Sequence, residues 1–101
     1  AHWSLFAAVE EYRKQKLDTA REYALRSMTL LEDIFKRYPE LTVEEDLIED
    51  GMTAVLIWQY AYKIDGERPP AEYPLKELYD ALQSQLPDYE KKFNRRFLPQ
   101  Q

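Results

Sequence analysis

Glu44, Glu45, Asp46, Glu49 and Asp50 put five carboxylates within seven residues, the densest group of side chains in this chain with any capacity for chemistry. On a helix, Glu45 with Glu49 and Asp46 with Asp50 stand one turn apart, and oxygen-only ligands at that spacing suit Mg²⁺ or Mn²⁺. A solvated acidic helix start, favoured by the helix dipole, accounts for the same residues without an ion. The rest of the inventory adds little. There is no cysteine, so a disulfide, a thiolate metal site and a Cys nucleophile are excluded. His2 is the one histidine and sits at the amino end, which leaves Ser4, Ser27 and Ser84 without a positioned base. No catalytic residue is assigned and no cofactor is expected. Glu45, Glu49 and Asp50 stand only as ligands of an alternative metal reading.

Two other stretches combine charge or rigidity with aromatics. Residues 91–97 (KKFNRRF) interleave four cations with two phenylalanines, a pattern used on nucleic acids and anionic membranes. Here Asp88 and Glu90 oppose those cations. Helical spacing turns Phe93 and Phe97 inward, leaving the basic residues solvated or set against the acidic patch of this or another chain. Residues 68–74 (RPPAEYP) match neither Pro-Pro-x-Tyr nor Pro-x-x-Pro and read as a stiff connector. The chain has eight tyrosines and two tryptophans, many for a core of this size. Tyr73, Tyr79 and Tyr89 lie near the proline-rich loop and, with Arg95 and Arg96, are the residues expected to meet a partner.

These residues need a scaffold, and the apolar pattern supplies one. Residues 51–62 carry no charge in a chain where 33% of residues are charged, and read as a helix they leave almost no polar face. Such a helix belongs in the centre. A first helix runs from a Ser4 cap to about Gln15. A second runs from an Asp18 cap through Ala20, Ala24, Met28, Leu31 and Phe35 to Pro39. A capping box at Thr42 and Glu45 opens the third and central helix, about 43–64, which stops at Asp65 and Gly66, with Gly51 a weak point costing roughly 1 kcal/mol against Ala. Pro74 opens a fourth helix through Leu86, and Pro87 breaks the chain before a short basic fifth. The fold expected is all-α: a four- to five-helix antiparallel bundle or helical-hairpin array in one domain of 101 residues. Because the chain starts at Ala1 and not at Met, a processed or excised piece of a longer chain stays among the readings.

Two short resemblances follow from these residues. Residues 45–67, about a fifth of the chain, resemble the second half of the motif in the all-helical MazG-type nucleotide pyrophosphohydrolases. That resemblance implies a Mg²⁺-dependent enzyme using the 44–50 cluster. The family's first motif, Glu-x-x-Glu on the preceding helix, is absent; that helix offers Glu32 and Asp33. Residues 5–38 resemble one tetratricopeptide hairpin through Ala8, Leu17, Ala20 and Ser27, with no turn glycine, a displaced Tyr12 and no second copy.

Net charge is −5, and residues 39–67 hold eight acidic groups against one basic. This argues against a phosphate-backbone binder. The uncharged run falls short of the roughly 20 residues a membrane span needs. The expectation is a soluble, cytoplasmic, non-catalytic interaction module, acting as an adaptor, a small subunit or a self-associating domain, whose partner is a protein or a second copy. Nucleic acid, membrane and small-molecule substrate are not expected.

Overall fold

Residues 51–58 are buried eight in a row. A helix with one face on a core exposes part of every turn, so burial without interruption requires neighbours on all sides. The computed structural model, which describes residues 2–97 and the side chains of residues 4–94, supplies them. Helix α3 (Glu45–Ile64) is flanked by α1 (His2–Arg13), α2 (Leu17–Arg37) and α5 (Leu86–Phe97). A six-residue α4 (Lys76–Ala81) and two 3-10 turns, Pro39–Val43 and Gln83–Gln85, complete the chain. No strand occurs among the described residues, and the architecture is the expected all-α bundle.

Helix α2 presents Ala20, Ala24, Ser27, Met28, Leu31 and Phe35 to the interior at 3–4 spacing. Its small side chains let Ser4, Leu5 and Ala8 of α1 approach closely. The turn between them closes with Lys16 N–H donating to Glu11 O (2.9 Å) and Gln15 N–H to Tyr12 O (3.0 Å). This pair of hydrogen bonds needs a left-handed residue, and Gln15 takes that role at φ +62°. At the same end of the bundle, α3 stops as the sequence implies. Gly66 turns left-handed at φ +76°, and Glu67 N–H donates to Tyr62 O (2.9 Å). Arg21 fastens that end to α2: Nη1 reaches Glu67 (3.1 Å), Nη2 reaches Asp18 (2.8 Å), and the guanidinium lies 4.3 Å from the Tyr62 ring centre.

Several helix starts differ from the sequence expectation. Ser4 is no cap; α1 already runs from His2, and Ser4 is buried within it. Lys16 is the cap residue of α2, while Asp18 sits in the first turn and binds Arg21. The capping box does not form. Thr42 is held inside a 3-10 turn, its hydroxyl donating to Pro39 O at 2.7 Å, and Glu44 precedes α3 without a side-chain cap bond. Pro74 precedes α4 instead of opening it, because Leu75 intervenes as a left-handed cap residue at φ +69°. The chain breaks at Leu82, ahead of Pro87, which falls in the first turn of α5, where its missing N–H has no intrahelical partner to lose.

Candidate functional site

The carboxylates of the metal reading lie around the start of α3. Glu45 is exposed; Glu49 and Asp50 are half-buried. Among the described residues, no group of three or more Asp, Glu or His side chains converges on a point an ion could occupy. Tyr89 of α5 faces this region: burial first, then the nearby charges of Glu49, Glu45 and Asp88, raise its hydroxyl pKa.

Tyr73, Tyr79 and Tyr89, singled out from the sequence, are half-buried, and the first two join aromatic contacts. Tyr73 packs on Trp58 (ring centres 5.0 Å) and meets Tyr79 edge to face (6.4 Å). Burial, followed by Tyr79 and Asp80, raises the Tyr73 pKa. A separate group forms around Phe93, the buried anchor of α5, which meets Tyr60 (5.1 Å) and Tyr12 (5.7 Å) edge to face. There the Tyr60 hydroxyl donates to Glu90 (3.1 Å), and burial with that carboxylate pushes its pKa up to about 12. Lys91 and Lys92 are exposed, while the side chains of Arg95, Arg96 and Phe97 lie outside the described residues.

One open cleft stands out, of about 610 Å³. One wall is the last part of α2 with Thr42 of the following 3-10 turn; the other is residues 72–78. Phe35, Tyr73, Leu75 and Leu78 provide its apolar surface, and Lys36, Lys76, Glu72 and Glu77 stand among the polar lining.

Its second wall is positioned by Leu75. Pro74 fixes the approach, and Leu75 then turns left-handed, which sends its side chain inward to 4% exposure. It lands over Gly51. A Cβ at residue 51 would lie 3.2 Å from Leu75 Cδ1 and 3.6 Å from Leu78 Cδ2, so the glycine is the notch into which α4 docks. The left-handed backbone costs about 1–2 kcal/mol for a residue with a side chain. Burying a leucine returns about 1.5–3 kcal/mol, enough to offset it. The Leu75 N–H also donates to Glu32 Oε2 at 2.7 Å, and Glu32 Oε1 meets Lys36 at 3.1 Å. The Leu75 amide, working against partial burial and assisted by Lys36, lowers the Glu32 pKa.

Of the residues expected to meet a partner whose side chains are described, only Tyr73 lines this cleft, with Tyr79 behind it. Sequence reasoning missed Glu32, Phe35, Leu75 and Gly51 as parts of one site. Glu32 and Leu75 are 43 residues apart, and no local pattern links them. The signal that was present is Gly51, a glycine inside a helix where its acidic start gives way to the apolar run, a place where close approach by another segment accounts for its presence.

Comparison with known protein families, characterised proteins and solved structures finds no match, so neither short resemblance is carried by a wider one. Among the described residues no helix is long and apolar enough to cross a membrane.

Proposed function

We propose that this chain is a non-catalytic contact module whose working surface is the cleft between α2 and residues 72–78. The observation that carries the reading is the cleft itself: an open hollow with an apolar floor, polar groups at its edge, and walls from segments far apart in sequence. Grooves that set apolar side chains beside charged ones are where proteins seat amphipathic segments of a partner. Exposed Tyr38 and Val43, in and beside the turn that carries Thr42, extend the apolar area beyond the cleft. Tyr73 and Tyr79, which meet edge to face, give the second wall its aromatic surface.

The test pairs light scattering and affinity capture of the intact chain with the variant Leu78→Lys, which places a charge on the cleft floor. Association that the wild type shows and the variant lacks supports the reading. A wild-type chain that stays monomeric and recovers no partner refutes it. Mg²⁺ or Mn²⁺ titration followed by melting temperature addresses the hydrolase alternative, because an ion bound only by the folded state must raise the midpoint.

A further inference from the structure

We infer that the occupant of this cleft is a cationic amphipathic helix of another protein, its apolar side chains on the cleft floor and its lysines or arginines over the rim; this rests on the contact reading above. The charge of the surroundings decides it. Each cation at the cleft is already engaged: Lys36 with Glu32 at 3.1 Å and Lys76 with Asp80 at 3.0 Å. Just beyond, Arg37 is paired with Asp33 at 3.2 Å. Of the carboxylates, Glu32 is engaged in turn, but its neighbours are not. Glu72 and Glu77 on one wall, and Glu40, Glu44 and Asp46 around the 3-10 turn of the other, are exposed, and no ion pair among the described residues holds any of them. The 72–78 wall therefore carries uncompensated negative charge beside an apolar floor, and the turn that leads away from Thr42 adds more next to it. A cationic segment meets both features at once, while an acidic one meets repulsion on each wall.

A second copy of this chain fits poorly. It carries the same net charge of −5, and Lys91 and Lys92, two of its exposed cations, lie on α5, whose apolar anchor Phe93 is buried in the protein's own core and is not free to enter a neighbour's cleft. A helix of another protein brings apolar and basic faces together, the arrangement that helix-in-groove recognition uses.

The probe is a designed amphipathic peptide with leucines at i, i+3, i+4 and i+7 and lysines elsewhere, compared with the same peptide carrying glutamates in place of lysines. Affinity is read by fluorescence anisotropy at two salt concentrations, and location by amide shifts of the ¹⁵N-labelled chain. The lysine peptide is expected to shift residues 35, 42, 73, 75 and 78 and to weaken with salt. The triple variant Glu40→Gln, Glu44→Gln, Asp46→Asn is expected to bind it about tenfold more weakly, the sum of three exposed charge contacts. These three side chains are exposed, and an unchanged melting midpoint confirms that the variant is folded. Equal affinity for both peptides at the cleft overturns the cationic inference and leaves the contact reading standing. Binding that maps elsewhere, or that the triple variant does not alter, also overturns the inference. Failure of both peptides to shift the cleft residues overturns both.

Discussion

Replacing Gly51 with alanine separates two effects of opposite sign. At an exposed helix position the change would stabilise by about 1 kcal/mol through helix propensity. In this protein the new Cβ would stand 3.2 Å from Leu75 Cδ1, closer than ordinary van der Waals contact, with Leu78 and Leu31 at 3.6 and 3.8 Å. Leu75 has little room to retreat, since its backbone is left-handed and its amide is held by Glu32. Overpacking of this kind costs about 1–3 kcal/mol. The net expectation for Gly51→Ala is a loss of about 0–2 kcal/mol, the difference between those two figures. In a Leu75→Ala background the obstructing atoms are gone and the same change should gain about 1 kcal/mol. Leu75→Ala itself costs about 2–5 kcal/mol, within reach of a domain whose total stability is about 5–15 kcal/mol. Urea denaturation followed by tryptophan fluorescence, with Trp58 buried in α3, gives all four corners of the cycle. A stabilising Gly51→Ala of equal size in both backgrounds would show that α4 does not dock on this notch.

Three further outcomes follow from the same geometry. Glu32→Ala strips the acceptor from the Leu75 amide and should cost about 1–3 kcal/mol, with faster hydrogen exchange at residue 75, while Glu32→Gln keeps an acceptor and should lose less. Because Glu32 titrates below its ordinary value of 4.5 in the folded state, its contribution is complete above that pH and is lost as acid takes the solution down from there through the lowered pKa, which the Leu75 amide and Lys36 set. Tyr60, beside Glu90, Tyr12 and Tyr79, has the opposite sign: its folded pKa is raised from 10.0 to about 12, so stability should fall across that interval, and Tyr60→Phe should remove the late step from a phenolate absorbance titration. Gln15→Gly relieves a left-handed glutamine in the exposed α1–α2 turn and should raise the melting midpoint, a gain of about 0.5–1 kcal/mol.

The parts of the fold legible in the sequence are those fixed by long-range burial through a local pattern. The uncharged run named α3 as central because only enclosure explains it, and Pro39 and Gly66 marked the ends of α2 and α3 through backbone restrictions that no packing overrides. Helix starts were less legible. Thr42 and Glu45 carry a capping-box pattern, yet Pro39 draws the intervening residues into a 3-10 turn that takes the Thr42 hydroxyl first. Leu75 is the harder case. Nothing in its type signals a left-handed backbone, which exists there because Gly51 and Glu32, both distant in sequence, reward it. The cleft inherits that difficulty, since its two walls meet only after the bundle has formed. The acidic excess of residues 39–67 was visible from the start, but not that the turn carrying part of it forms one wall of a hollow.

The two walls of the cleft differ in how they are anchored. The α2 side belongs to the helical framework, whereas α4 is six residues long and too short to persist alone. The amide of its cap residue Leu75 is tied to α2 through the Glu32 carboxylate. Such a segment opens more readily than the framework and defines its own unit of local stability. An occupant touching both sides would therefore clamp the weaker one. Part of its binding free energy would be spent on that ordering, so this module would trade affinity for the capacity to reshape one jaw around different guests, and occupancy would register as slowed exchange at an amide the guest never touches.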